Sequence, residues 1–221
     1  MITIHHGINW HLRPITTYRF LEKEHVDEFF NNGAIRLSSF RKFREHKDEV
    51  RGDNTEGSGF YLANYLPAET EDKGHSFGAV MNTGKNAYVL STTLKNDIST
   101  FGNCDYDSGF KITDVYGFSV EIGRSIRSLL GGMMGQCIYR DPPTIPIDLG
   151  EFNINELTEE KKELKQQEFF QKCEQDNDIF FIKKKKHQIQ QEYRIIWFAD
   201  QTNEFEKIIC PRAREFCDRI Y

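Results

Sequence analysis

A chain of 221 residues with 38% hydrophobic and 13% aromatic side chains can form a substantial core, so a wholly disordered chain is not expected. The net charge of −5 gives no global attraction to nucleic acid or to an anionic membrane, and no run approaches the roughly 18 apolar residues that a membrane span needs. The N-terminus lacks the features of a signal peptide, and the five cysteines have neither paired nor zinc spacing, which indicates a cytoplasmic protein without a metal.

Periodicity predicts a mixed α and β chain. The elements predicted up to residue 140 are, in chain order, a strand over 15–21, a helix over 22–32 that ends at Gly33, strands over 34–40, 86–93 and 115–122, a helix over 125–134, and a strand over 136–140. Residues 41–58 are charged and rich in Gly, Asp and Asn, which is typical of a loop. A loop of this length suggests a functional role.

The clearest predicted helix covers 158–175, because Thr158 can cap it and two glutamates occupy its first turn. Its expected buried stripe is Leu157, Leu164, Phe169, Phe170 and Cys173. Strands are predicted over 179–182, 193–198 and 205–209, followed by a last helix that begins at Pro211. We interpret residues 1–221 as one domain with a helical excursion at about 141–178.

Two short motifs carry polar groups on predicted strands. Arg19, between Tyr18 and Phe20, presents a planar guanidinium suited to a phosphate or carboxylate, although an arginine on an alternating strand can also face solvent. The hydroxyls of Ser91-Thr92-Thr93 can orient a carboxylate or a ribose hydroxyl, or they can simply brace the backbone.

A third motif, Gln190-Gln191-Glu192, lies where a polar run becomes strongly apolar. In an extended strand, residues 190 and 192 point the same way, so Gln190 and Glu192 could face one cleft. A carboxylate there can hydrogen-bond ribose hydroxyls and stabilise a positively charged sugar as a glycosidic bond breaks. Alternatively, Glu192 forms a surface ion pair with Arg194 or with the preceding lysines.

A basic block covers Lys183 to His187, and a second basic stretch runs from Arg36 to Arg51. Each is either a solvated surface or a local site for a nucleic-acid phosphate backbone. The residues expected to contact such an acceptor are Lys184, Lys185, Lys186 and Arg51. No calcium loop, nucleotide-binding glycine motif or nucleophile elbow occurs.

The order Arg19, Ser91-Thr92-Thr93 and Gln190-x-Glu192 resembles the Arg–Ser–Glu branch of the mono-ADP-ribosyltransferase superfamily, although Thr93 departs from its usual middle motif. The chain also resembles a widespread bacterial family in which a late lysine precedes a Glu-x-Arg strand. That second resemblance rests on the segments 18–20, 33–38, 53–57 and 186–197.

The transferase resemblance implies an α+β fold with a split β-sheet core flanked by helices, and NAD as a substrate in its cleft. It also implies that Tyr18, Arg19, Ser91 and Thr92 bind NAD, that Glu192 stabilises the oxocarbenium-like sugar, and that Gln190 helps place the acceptor. A nucleic-acid acceptor is favoured weakly over a protein. The implied setting is a bacterial toxin or phage-defence effector, with an antitoxin or regulatory partner as an option.

The alternative from another class is a non-catalytic module that binds nucleic acid or an acidic protein through the two basic stretches. In that module Glu192 would serve as a structural ion-pair partner.

Overall fold

The computed structural model describes residues 2–4, 15–40, 42, 57–65, 75–82, 86–101, 105–150, 152, 157–203 and 205–220. These residues form a mixed α+β fold that is mostly sheet with few helices, which confirms the predicted class. No helix in these ranges is long and apolar enough to cross a membrane.

The α-helices are α1 (Lys23–Asn32), α2 (Val115–Ser125) and α3 (Glu159–Gln175). The strands are β1 (Ile2–Ile4), β2 (Thr17–Leu21), β3 (Ala34–Ser39), β4 (Ser58–Tyr65), β5 (His75–Asn82), β6 (Ala87–Thr93), β7 (Ser108–Ile112), β8 (Leu129–Gln136), β9 (Ile138–Arg140), β10 (Thr144–Pro146), β11 (Ile182–Lys184), β12 (Glu192–Ala199), β13 (Phe205–Ile209) and β14 (Cys217–Ile220). Short 3₁₀ helices cover Ile98–Phe101, Asp178–Phe180, Lys185–Gln190 and Pro211–Phe216.

Within the described ranges the main sheet has nine strands, and it branches at β6. The strands run in the order β1-β8-β12-β6-β2-β7-β14, while β3 also pairs with β6 and carries β13 on its other side. Strand β2 meets β6 at Thr93, whereas β3 meets β6 at Val89 and Tyr88. Between those two pairings, β2 and β3 diverge and leave a gap beside the middle of β6.

Both faces of the central strands β6 and β12 are buried. Tyr88 and Trp197 point into one core cluster, which also contains Phe118 of α2. Val89 and Ile196 point into a second cluster on the opposite face, which contains Phe169 of α3. A strand that is buried on both faces reads as a continuous apolar run, which explains the sequence Ile195-Ile196-Trp197-Phe198.

Local signals placed several elements correctly. The strands predicted over 15–21, 34–40, 86–93, 193–198 and 205–209 are β2, β3, β6, β12 and β13, and the strand predicted over 136–140 corresponds to the end of β8 and to β9. Gly33 ends α1 in the left-handed conformation (φ 80°), and its amide donates to the Phe29 carbonyl at 2.7 Å. Thr158 caps α3, since its hydroxyl accepts from the Lys161 amide at 3.4 Å.

Two neighbouring predictions were wrong. Residues 115–122 belong to α2 because the Asp114 side chain caps the helix, accepting from the Gly117 amide at 3.0 Å. The helix predicted over 125–134 is largely strand β8, whose glycines Gly132 and Gly135 stand opposite Trp197 and Arg194 of β12. Those glycines therefore lie within a paired strand rather than at the end of a helix.

Further corrections concern the C-terminal part. The strand predicted over 179–182 is mainly the 3₁₀ helix Asp178–Phe180, and β11 begins at Ile182. The helix expected from Pro211 is a 3₁₀ helix rather than an α-helix. In α3, Phe169 and Cys173 are buried as expected, but Leu164 (57%) and Phe170 (45%) are exposed because they lie off the packed stripe. The predicted loop 41–58 lies outside the described residues, apart from Lys42, Gly57 and Ser58, the last of which begins β4.

Candidate functional site

The side of β6 that pairs with β2 at one end and with β3 at the other forms one wall of a cavity of about 500 Å³. Its polar lining comes from separate strands: Arg19 of β2, Arg36 of β3, Ser91 of β6, Lys183 of β11, Glu192 of β12 and Lys207 of β13. The volume falls in the range of about 300–1,000 Å³ that is usual for small-molecule sites.

Glu192 lines this cavity and is only 5% exposed. Its Oε1 accepts from the Ser91 hydroxyl at 2.8 Å and from Arg194 Nε at 2.7 Å. Its Oε2 accepts from the Lys183 ammonium. Burial by itself raises the pKa of Glu192, but Arg194 and Lys183 more than offset burial and hold that pKa well below its ordinary value. Glu192 is therefore ionised.

The sheet register explains why Ser91 reaches Glu192. Arg194 stands directly opposite Ser91 across the β12–β6 pair, and Glu192 lies two residues before Arg194 on the same face. The serine hydroxyl therefore reaches a diagonal neighbour, a distance that cross-strand side chains can span. The predicted association of Ser91 with Glu192 follows from this geometry.

Lys183 was included in the predicted basic block, but the structure gives it a separate role. The side chain is 8% exposed, and its ammonium contacts both the Glu192 carboxylate and Gln190 Oε1, the latter at 3.3 Å. The apolar residues Phe181 and Ile182, which are buried, immediately precede Lys183. This apolar pair is the sequence signal that could have distinguished Lys183 from the lysines that follow it.

Gln190 and Glu192 both line the cavity, although the reasoning that paired them was wrong. Gln190 ends a 3₁₀ helix, Gln191 adopts the left-handed conformation (φ 41°), and β12 begins only at Glu192. Strand alternation therefore does not apply to Gln190. The two side chains share a cavity because Lys183 contacts both.

Arg19 lies in the gap between β2 and β3. Its Nη1 donates to the main-chain carbonyl of Ser91, which belongs to the stretch of β6 between the two pairings. Its Nε is buried and has no partner among the described residues. Burial lowers the pKa of Arg19, while Tyr106 and Glu192 oppose that shift. The interpretation of Arg19 as a solvent-facing strand residue is wrong.

Tyr18 and Thr92 also line the cavity. The Thr92 hydroxyl donates to the Tyr193 carbonyl at 2.9 Å, and the Thr93 hydroxyl donates to the Gln190 carbonyl at 2.6 Å. Within the Ser-Thr-Thr motif, Ser91 therefore contacts the carboxylate, while the two threonines brace the backbone around it.

The lysines expected to bind an acceptor lie outside this cavity. Lys184 is half-buried at the end of β11, and Lys185 and Lys186 are exposed on the following 3₁₀ helix. None of them is among the cavity-lining residues, and Arg51 lies outside the described part of the chain. The exposed lysines adjoin Gln190 in sequence, so they remain predictions for an acceptor surface beside the cavity.

Sequence reasoning missed two further contributors to the site. Tyr139 of β9 accepts a hydrogen bond from the Glu192 amide at 2.7 Å through its hydroxyl, and burial raises the pKa of that hydroxyl. Lys207 of β13 has no motif around it, because only the pairing of β13 with β3 brings it to the cavity.

Comparison of the chain with protein-family models, with curated proteins and with solved structures finds no match. The chemistry of the site is therefore inferred from its side chains. Among the described residues, the lining contains five Lys or Arg side chains against three Glu side chains, whereas the whole chain carries a net charge of −5. This local excess of positive charge favours an anionic ligand.

Proposed function

We propose that this protein is an NAD-dependent mono-ADP-ribosyltransferase with an ADP-ribosyltransferase-like fold. The observation that carries the proposal is the connected set of Arg19, Ser91 and Glu192 in one cavity. The three residues are far apart in sequence and meet beside β6, where β2 and β3 diverge. Their order along the chain is the order that the family resemblance implies.

The side chains suit the binding of a dinucleotide. Arg19 has a buried Nε without a described partner, and the lining carries an excess of Lys and Arg over Glu, as a diphosphate requires. Among the described contacts, Glu192 Oε1 has two donors and Oε2 has one. Because each carboxylate oxygen can accept two hydrogen bonds, Oε2 retains room for a ribose hydroxyl.

In the proposed reaction, the bond between ribose C1′ and the nicotinamide nitrogen breaks, and nicotinamide leaves with the bonding electron pair. Glu192 stabilises the positive charge that develops on the sugar, and Ser91 keeps the carboxylate in place. The acceptor's nucleophilic atom forms the new bond at C1′ and releases its proton to solvent. Gln190 helps to place that acceptor.

The acceptor that we propose is macromolecular, with nucleic acid favoured over protein, because exposed Lys185 and Lys186 lie two and three residues after Lys183. A cytoplasmic bacterial toxin or phage-defence effector, held in check by an antitoxin or regulatory partner, is the setting we propose for such an activity.

We expect purified protein to release nicotinamide from labelled NAD or to transfer the label to RNA, DNA or protein. Glu192→Gln should lower the rate by at least about 100-fold, because a preorganised charge of this kind contributes several kcal/mol to transition-state stabilisation. The matched control is Glu160→Gln, which removes an exposed carboxylate of α3 that is not among the cavity-lining residues.

Glu192→Gln also leaves buried Lys183 without its anionic partner, so its folding must be checked by thermal unfolding. Ser91→Ala provides a second variant, since it removes one donor and leaves both ion pairs of Glu192 in place. A folded wild-type protein without turnover on any of the three acceptor classes would contradict the transferase proposal.

The second candidate is the non-catalytic binding module, and one observation favours it. Both oxygens of Glu192 already have cationic partners, as a structural ion pair would. Nucleic-acid binding that survives Ser91→Ala and Glu192→Gln, but is lost when Lys184, Lys185 and Lys186 are replaced by Gln, would support this module.

A further inference from the structure

Strands β3 and β13 form one wall of the cavity. In their antiparallel register, Lys207 stands directly opposite Arg36, and Phe205 stands opposite Ser38. Ile35 and Ile208 point from the other face of the same two strands into the core. Arg36, Phe205 and Lys207 therefore share the face that lines the cavity, and all three are exposed.

These three side chains place two like charges directly opposite each other on an exposed face. Like charges directly opposite each other on neighbouring strands are destabilising. The Arg36 guanidinium lies 4.2 Å from the centre of the Phe205 ring, and no described carboxylate forms an ion pair with it. Phe205 is 48% exposed and so contributes little to the core. Such an arrangement indicates a ligand that compensates the charge.

One carboxylate already reaches this wall. The Lys207 ammonium forms an ion pair with Glu28 of α1, and both side chains are partly exposed, at 53% and 34%. An ion pair in contact with water is weak, so a phosphate can compete with Glu28 for Lys207. Two cations and one carboxylate leave a net positive charge at this wall.

The chemistry of the trio fits a nucleoside phosphate. A guanidinium matches a phosphate through two parallel hydrogen bonds, and an ammonium adds a point charge. Aromatic rings and arginine planes are the surfaces on which nucleobases stack. We propose that Arg36 and Lys207 bind the phosphate of a nucleotide at the β3–β13 wall, and that its base stacks on the Arg36–Phe205 pair.

This site goes beyond the transferase proposal, because it predicts binding of nucleotides that cannot undergo transfer. The phosphate can belong to a small nucleotide or to a nucleic-acid strand. ADP and a ten-residue thymidine oligonucleotide are therefore the two probes, and adenosine is the probe without phosphate.

The experiment is a calorimetric titration of the full chain with each probe at low ionic strength. We expect Arg36→Gln and Lys207→Gln each to weaken ADP binding by about tenfold or more, since hydrogen bonds between charged groups are stronger than those between neutral groups. Adenosine should bind much more weakly than ADP. Lys161→Gln, which removes an exposed lysine of α3 outside the cavity lining, should leave ADP binding unchanged.

Glu28→Gln gives an expectation of opposite sign. It removes the carboxylate that competes for Lys207, so ADP should bind more tightly, by roughly threefold, as the loss of a weak exposed ion pair allows. A merely structural role of Lys207 would not produce this gain. All four replaced side chains are at least partly exposed, and thermal unfolding will verify that each variant folds.

Unchanged affinity in both Arg36→Gln and Lys207→Gln would overturn the proposal, as would adenosine binding as tight as that of ADP. Failure of wild-type protein to bind either ADP or the oligonucleotide at millimolar concentration would overturn it as well. If the oligonucleotide binds at least tenfold tighter than ADP and the same two variants lose it, the site is supported with a strand as the source. Measuring nicotinamide release by Arg36→Gln and Lys207→Gln tests the transferase proposal separately. Failure of one proposal can therefore be distinguished from failure of the other.

Discussion

At the scale of single residues, the candidate site centres on Glu192, which four neighbours contact. Ser91, Arg194 and Lys183 donate to the Glu192 side chain, and Tyr139 accepts from its amide. Burying a carboxylate alone would be costly, and an excess of donors compensates that cost here. The arrangement keeps Glu192 ionised and rigidly oriented, as electrostatic catalysis requires.

The depressed pKa of Glu192 makes a testable link to stability. Since its pKa is lower in the folded protein than in the unfolded chain, Glu192 contributes stability above its ordinary pKa, and that contribution is lost as pH falls through the folded value. We expect Lys183→Met to raise the pKa of Glu192, so that the stability lost below the ordinary glutamate pKa is smaller and is lost completely at a higher pH than in the wild type. The substitution should also lower the free energy of unfolding by about 3 kcal/mol at pH 7.

Urea unfolding of Lys183→Met between pH 3 and pH 8 measures both effects. The charge-matched control is Lys184→Met, because Lys184 is half-buried and makes no described ion pair with Glu192. Other groups that face the carboxylate, namely Arg194, Arg19 and Tyr139, are unchanged in both variants. Parallel pH profiles for the wild type and Lys183→Met would show that Lys183 does not hold Glu192 in its ionised form.

At the scale of elements, the junction between α1 and β3 shows how a local signal acquires a tertiary role. Gly33 ends α1 with a left-handed φ of 80°, and its carbonyl accepts from the Cys210 amide at 2.8 Å. A Cβ atom at Gly33 would come within 2.4 Å of the Pro211 nitrogen and 2.6 Å of the Cys210 carbonyl oxygen. The glycine therefore serves both the helix end and the approach of the chain after β13.

We expect Gly33→Ala to lower the free energy of unfolding by more than about 2 kcal/mol, because it adds a backbone clash to the cost of a left-handed non-glycine residue. Gly150→Ala is the matched control, since Gly150 has a similar φ of 76° but nothing within 4 Å of an added Cβ. Gly150→Ala should lower the free energy of unfolding by only about 1–2 kcal/mol. Equal losses in chemical denaturation of the two variants would mean that contact with Cys210 and Pro211 is unimportant.

At the scale of the whole molecule, the two core clusters lie on opposite faces of the same strands. Excursion residues 141–178 contribute to the second cluster through Phe169 and Cys173 of α3, and β10 pairs with β4. Since β6 and β12 supply side chains to both clusters, loss of one cluster should weaken the other.

Cooperative unfolding follows from this arrangement. We expect Phe169→Ala to cost about 3–5 kcal/mol and to lower the protection of β6 and β12 together with that of α3, as measured by hydrogen exchange under native conditions. Leu164→Ala, at an exposed position of the same helix, should have little effect. If Phe169→Ala loosens only residues 141–178, the excursion is a separate unit and the single-domain interpretation is wrong.

The sequence by itself determined the features that depend on near neighbours. Helix α3 with its Thr158 cap, the end of α1 at Gly33 and the strands β2, β3 and β6 all follow from signals within a few residues. The candidate residues Arg19, Ser91 and Glu192 were found by their types and order.

Only the tertiary structure decided how those residues meet. Ser91 and Glu192 are 101 positions apart, and strand register brings them together. Register likewise places Lys207 opposite Arg36, and pairing with β12 makes β8 a strand where local composition favoured a helix. Local signals report the preferences of a short segment, whereas burial and strand pairing depend on partners that are distant in the chain.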